Sequence, residues 1–386
     1  MADYLHGAYG QIQAVGTKVA IKSQNAIVYV GTAPVHTVAG GAANVNRPIL
    51  VTNIAEARKH FGYSDEWDKY TLCEAMHAHL ENKAVGPLVL INVLDPATHK
   101  AAEAGTANLT PENGRVTIAN AGDIILDTVA VTGKTKGTDY TVQYDFKKKL
   151  LTIAEITSGG LGTEALTITY NSIDATAVDA DDVIGATDGA GLNTGLFAIK
   201  NVYQETGFIP SFLLAPGFSS IPAVHSAMIQ NSQKVNSHWD VYVMADIPIA
   251  DEEDEKITLA TAATWKNANG YNKSNETVYF PLVKGTDDKI YHLSVLAAAN
   301  FQELLVAQDG IPYKTASNTE CAIISNLYMG EDSAGRVFDD YLINNQLNKN
   351  GIASAAYVGG RWAVWGCHSA TSPRRAAIRS TCLKPT

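Results

Sequence analysis

GFIPSFLLAPGFSSIPAVHSAMIQNSQKVNSHWDVYVMADIP, residues 207–248, decides how the chain is read. It holds two short apolar runs, Ser211–Ala215 and Val241–Ala245. Each closes on a proline turn, Ala215-Pro216-Gly217 or Asp246-Ile247-Pro248. Between them Ser220 stands as a candidate N-cap, Pro222 in a first helical turn, and Val224, Ala227 and Met228 on one helical face. Strand, helix, strand is the repeating unit of a parallel sheet. The loops that follow such strands are where α/β proteins place their chemistry, yet these loops offer little.

Working outward, the same texture recurs. Ala26–Val30 is a buried strand ended by Gly31-Thr32-Ala33-Pro34. Asn53 with Glu56 has capping-box spacing, opening a short helix that Gly62 stops. From Trp67 to Lys83, Cys73, Met76 and Leu80 share a helical face, and Leu88–Leu94 follows as an apolar strand. After the quoted stretch come an expected helix at Asp254–Ala268, a strand at Val278–Val283 and a helix at Tyr291–Val306. A further helix is expected at Val337–Asn348, with Phe338, Tyr341 and Leu342 on one face and Gly351 as its cap. Strands Ala353–Val358 and Arg361–Trp365 flank Gly359-Gly360.

Between Pro96 and Leu192 the composition shifts to Thr, Ala, Gly and Asp. Short β-type runs appear at Arg115–Ala119, Thr128–Thr132, Tyr140–Tyr144, Leu150–Ile153 and Leu166–Tyr170, with Asp145–Lys148 as a hairpin turn. This spacing predicts a small all-β sandwich or barrel inserted into an α/β domain. The expected division is 1–25 an extended N-terminal arm, 26–96 the first part of the core, 97–193 the insertion, 194–366 the second part, and 367–386 an irregular basic tail.

At 386 residues the chain exceeds one typical core. A net charge of −10 argues against general nucleic-acid binding, which rests on phosphate neutralisation. No apolar run has bilayer-spanning length, and no secretory signal is visible in MADYLHGAYGQIQ. Cys73, Cys321, Cys367 and Cys382 are scattered without a CxxC pair, so free thiols in a reducing cytoplasm are expected and a zinc site is not.

A search for chemistry along the chain finds no site: no catalytic, cofactor-binding or metal residue is assigned. Gly133-Lys134-Thr135 lacks the upstream glycine of a phosphate loop, and Thr128 stands there instead. Gly189, Gly191 and Gly195 are one residue off the dinucleotide spacing and read as a junction. Asp179–Asp182 lacks the glycine and terminal Glu of a calcium loop. Asp251–Glu255 suits a helix start. His77 and His79 face different sides of a helix, a poor arrangement for sharing a metal. Ser219 or Ser220 with His225 and Asp246 could make a hydrolase triad, but Ser220 fits capping better.

The ordered segments FLLAPGFSS, DVYVMADIP, TVYFPLV and NNQLNKNGIASAAYVGGRWAVWG resemble the tail sheath proteins of contractile-tailed bacteriophages. The shared turns are Ala215-Pro216-Gly217, Asp246-Ile247-Pro248, Phe280-Pro281 and Trp365-Gly366, with Asn348–Ile352 one residue longer than the family's Asn-x-Gly-Ile. The resemblance covers about 26–95 and 195–366 but not the insertion. It implies a subtilisin-like α/β domain without protease activity and without a cofactor. It also implies copies stacked as rings around a tube, which change from an extended to a contracted lattice and drive the tube through the host envelope. Implied partners are neighbouring sheath subunits, joined by strand exchange through terminal arms, the tail tube protein, the baseplate and the tail terminator. Neither nucleic acid nor membrane insertion is implied. The implied location is the virion, after assembly in the host bacterial cytoplasm.

One departure is that family members continue beyond the Trp-Gly strand with a tube-facing segment and a C-terminal arm. Here CHSATSPRRAAIRSTCLKPT follows, with four Lys or Arg and no acidic residue. A truncation or frame shift near Cys367–Pro373 is therefore expected. Three other readings stand beside the phage sheath: the sheath of a phage-tail-like bacteriocin or injection system, a serine hydrolase with an inserted binding domain, and a surface protein using 97–192 to bind carbohydrate or host.

Overall fold

The computed structural model describes residues 25–311, 313–331, 340–366 and 368–371. The expected arm at 1–25, except Asn25, lies outside the described residues, as do Phe338, Cys367 and residues 372–386 of the tail.

The chain opens with β1 (Asn25–Gly31), β2 (Ile49–Val51) and α1 (Ile54–Phe61). Asn53 caps α1 by accepting the Glu56 N–H at 2.9 Å. Glu56 does not complete the box, because its carboxylate takes the N–H of Thr52 at 2.8 Å instead. Gly62 ends the helix at φ 71°, where an added Cβ would lie 2.6 Å from the Pro34 carbonyl oxygen. The helix expected over 67–83 is shorter and irregular: α2 (Thr71–Ala75) passes into a π-helix at Met76–Asn82. Cys73, Met76 and Leu80 are buried as expected. The strand β3 (Leu88–Asn92) follows.

Next comes a β-rich stretch: β4 (Gly105–Leu109), β5 (Arg115–Ala119), β6 (Ala130–Val131), β7 (Tyr140–Asp145), β8 (Leu150–Glu155) and β9 (Leu166–Tyr170). These strands make two three-stranded antiparallel sheets, ordered β4-β9-β6 and β5-β8-β7. Val116, Leu126, Leu151, Ile153 and Ile168 anchor an apolar cluster of their own. The strand expected at Thr128–Thr132 contracts to β6, because Leu126–Thr128 forms a 3-10 turn. The β7–β8 turn is set by Asp145, whose Oδ1 accepts the N–H groups of Lys147 and Lys148.

The remaining elements are α3 (Ala180–Ile184), α4 (Val202–Thr206), β10 (Ile209–Leu214), α5 (Pro222–Ser232), β11 (Tyr242–Asp246), α6 (Ala262–Ala268), β12 (Glu276–Tyr279), β13 (Leu282–Gly285), β14 (Ile290–Tyr291), α7 (Leu293–Ala307), β15 (Thr319–Glu320), β16 (Ile324–Tyr328), α8 (Asp340–Leu342), β17 (Ile352–Val358) and β18 (Arg361–Trp365). The large sheet has nine strands in the order β15-β18-β17-β12-β11-β10-β1-β3-β2. Strands β3 to β17 of that order run parallel, with antiparallel strands at both ends. Strands covered on both faces must be apolar throughout. Accordingly Val28, Tyr29, Val30, Leu88, Leu90, Leu213 and Val243 are completely buried.

Three expectations fail here for tertiary reasons. Asp251–Glu255 is not a helix start: Asp251 closes a turn by accepting the N–H groups of Glu253 and Glu255, and α6 begins only at Ala262. The run Val278–Val283 is two strands, since the chain leaves the large sheet at Phe280-Pro281 and β13 joins a separate sheet, β14-β13-β16. Near residue 343 the inward side chains are Ile343 and Leu347, whereas Tyr341 and Leu342 are exposed. A π-helix at Ile343–Leu347 displaces the 3.6-residue face read from the sequence. Gly351 does form the expected left-handed cap, at φ 74°.

Candidate functional site

The carboxyl ends of β10 and β11 are where a doubly wound sheet would hold a ligand. A cleft of about 360 Å³ opens there, lined among others by Ser220, Pro222, Pro248, Asp251, Glu252 and Trp265. The buried polar groups on the neighbouring elements are paired with one another.

Asp246, at the end of β11, is 2% exposed. Its Oδ1 accepts the Ser294 N–H at 3.0 Å and its Oδ2 accepts the Ser294 hydroxyl at 2.5 Å. Burial raises its pKa, while His292 and the Ser294 bonds work against that rise. His292 donates Nδ1–H to Glu74 Oε2 at 2.7 Å, and its backbone N–H goes to Glu74 Oε1 at 2.6 Å. Burial alone would lower the His292 pKa, but Glu74 and Asp246 together raise it to about 9. The Gly217 N–H lies 3.1 Å from Nε2, a contact that is a hydrogen bond only for the neutral ring. Two nearby carboxylates outweigh one amide, so the charged ring is the state favoured at neutral pH.

His225 on α5 is buried and donates Nε2–H to Glu276 Oε2 at 2.5 Å. Its ring stacks on Tyr271, with centroids 3.7 Å apart and planes inclined by 14°. Tyr271 in turn donates its hydroxyl to the Ser219 carbonyl at 2.9 Å.

The sequence offered Ser219 or Ser220, His225 and Asp246 as the members of a hydrolase triad. In the structure they form no relay. Ser219 Oγ accepts the backbone N–H of Asp246 at 3.1 Å, the Asp246 carboxylate serves Ser294, and the acid beside His225 is Glu276. Ser220 is not the helix cap either: Ile221 occupies the N-cap position without a side-chain bond, and Pro222 takes the first turn. Glu74, Glu276, His292 and Ser294 were missed by sequence reasoning. A single acid inside an apolar face, such as Glu74 between Cys73 and Ala75, is the signal that could have found them.

The three pairs tie α7 to β11, α2 to the start of α7, and α5 to β12. A buried charge separated from its partner is costly, so each pair fixes the placement of the elements that carry it.

The other motifs are equally occupied. Asp179 caps α3 and Asp182 completes its capping box, while His99 donates Nε2–H to Asp182 at 3.1 Å. His79 accepts the Tyr29 hydroxyl at 2.6 Å and donates Nδ1–H to Gln302 at 2.6 Å, and burial lowers its pKa to about 4. His77 faces Glu81 and Asp287 on the other side. Lys134 lies in a turn, its N–H donated to Val131 O. Burial pushes the Cys73 thiol up to about 12 and the Cys321 thiol to about 11. Among the described residues no group of three or more His, Cys, Asp or Glu is placed to hold a metal, and no helix is long and apolar enough to cross a membrane.

This is a mixed α/β protein whose large, mainly parallel sheet is braced against its helices by internal polar pairs. In sequence the chain is similar to the tail sheath protein of Burkholderia phage BcepMu, 26% identical over 396 residues, covering 98% of this chain and 77% of that protein. The resemblance read from the ordered turns therefore holds over nearly the whole chain, including the stretch between β3 and α4. No family model matches. Two solved structures are similar: a sheath tail protein from Desulfitobacterium hafniense (TM-score 0.47, 11% identity, 97% of this chain and 78% of that one) and one from Listeria innocua (TM-score 0.46, 9% identity, 92% and 71%).

Proposed function

We propose that this chain is a structural subunit of a contractile tail sheath, with no enzymatic role. The observation that carries the reading is the sequence relationship to a tail sheath protein across 98% of the chain. Supporting it, the acids, histidines and serines at the strand ends are used as braces between elements, where an enzyme of this architecture would keep them open to substrate. On this reading residues 26–96 and 194–366 form a subtilisin-like core, 97–193 an inserted all-β domain, and 1–25 an arm that adds a strand to a neighbour's sheet. The copies stack in rings around the tail tube protein, between baseplate and terminator, as part of the virion assembled in the host cytoplasm. Contraction of that lattice drives the tube forward. Short strands end the large sheet, β2 with three residues and β15 with two, and an added strand needs such an edge.

Negative-stain microscopy of the purified protein tests this. Tubes or rings are expected, and deletion of residues 1–20 should leave a folded monomer that no longer assembles. Strict monomers at high concentration, or normal tubes from the deletion, would remove the sheath reading or the arm respectively.

A further inference from the structure

The segment after the β17–β18 hairpin returns to the body of the protein. Strand β17 pairs with only the second half of β12, through Val278–Ile352 and Tyr279–Ala353. Beside the first half lie residues 368–371. Ala370 donates its N–H to the Glu276 carbonyl at 2.9 Å, and Thr277 donates its hydroxyl to the His368 carbonyl at 3.3 Å. Ser369 and Ala370 are each 1% exposed. The path is close: a Cβ on Gly351 would stand 2.6 Å from the Ala370 oxygen. These residues belong to the tail expected to be irregular, and they lie buried against β12 without forming a strand of the sheet.

The acceptor at the centre of this segment is held by a buried cation. Lys266 on α6, 2% exposed, donates Nζ–H to the Ala370 carbonyl at 2.7 Å. A lysine is seldom buried unless its charge is answered. Burial lowers the Lys266 pKa, and Glu276, whose own backbone carbonyl receives the Ala370 N–H, works against that fall. Lys266 and Glu276 thus hold Ala370 from its two polar sides.

We propose that Lys266 is a positioning residue that clasps residues 368–371 against β12 as the closing strap of the large sheet. The charge-assisted bond is the stronger of the two that hold Ala370.

Two variants of the full chain test the clasp. In Lys266→Met, peptides covering residues 366–371 should exchange their amide hydrogens about tenfold faster or more, with β10 and β11 unchanged. In Ala370→Pro, which removes the N–H given to Glu276, Lys266 should react with an acylating reagent about tenfold faster than in the parent. Unchanged exchange in a folded Lys266→Met would overturn the proposal. If that variant loses protection throughout the sheet, the Lys266 reactivity in Ala370→Pro decides: a rise supports the clasp, and an unchanged rate rejects it.

Discussion

The tip of the β7–β8 hairpin is one attachment of the β-rich stretch to the rest of the protein, beside the buried Ile125 and Ile173, and Phe146→Ala should loosen it locally. Phe146 packs edge-on against Tyr63, with ring centroids 5.4 Å apart and planes at 69°. The Arg58 guanidinium lies 4.7 Å from the Tyr63 centroid and 5.0 Å from that of Phe146, so one cation serves both rings. Full burial of a phenylalanine is worth about 1.5–3 kcal/mol, and Phe146, partly exposed, gains about half of that. The aromatic pair adds about 0.5–1.5 kcal/mol and the cation about 0.5–1 kcal/mol. The loss in Phe146→Ala is therefore about 2–4 kcal/mol, or roughly a 30- to 700-fold rise in local opening, since about 1.4 kcal/mol is tenfold.

A competing attachment, Lys149 to Glu66, joins side chains that are 47% and 36% exposed, where a pair is worth about 0–1 kcal/mol. The ring contact should thus dominate, and Lys149→Ala should change little. Peptide-level hydrogen exchange over residues 140–155 and 54–67 measures both. Equal exchange in parent and Phe146→Ala, or a larger effect from Lys149→Ala, would refute the reasoning.

Further outcomes follow from the same geometry. The raised His292 pKa contributes stability that is fully present below about pH 6.5 and lost as pH rises through about 9. Urea midpoints should therefore fall across that window, and Glu74→Gln should flatten the slope; a parent protein without the slope would mean that the Gly217 amide keeps the ring neutral. Gly62→Ala forces a Cβ into a left-handed position against Pro34 O and should cost about 1–3 kcal/mol by thermal unfolding. A serine-reactive fluorophosphonate should leave Ser219 and Ser220 unlabelled, because the Ser219 hydroxyl is buried on Asp246 N–H and His225 is engaged by Glu276; labelling of either would revive the hydrolase.

Much of the fold was legible because it is local. Ala26–Val30, Leu88–Leu94 and the two runs of the quoted stretch are continuous apolar segments ended by Gly or Pro, and each became a strand of the parallel sheet within a residue or two. Glycine stops at Gly62 and Gly351 were also read correctly, since a left-handed backbone demands little knowledge of neighbours. Illegible were features set by distant partners. Asp246 looked like the acid for His225, yet Glu276, 51 residues away from that histidine, takes the role. Phe146 read as part of a hairpin turn, and only the approach of α1 gives it a surface to cover.

The sequence alone therefore determined most of the central strands of the parallel sheet, several of the glycine and proline turns that end elements, and a resemblance that the comparison bears out. Hydrophobic runs and φ-restricted residues act within a few positions and need no tertiary knowledge. The tertiary structure alone decided which polar groups meet. It joined Glu74 to His292, Asp246 to Ser294 and Lys266 to Ala370 across separations that no periodicity encodes. Burial makes an unanswered charge costly, so those meetings are settled only when the sheet and its helices close around them.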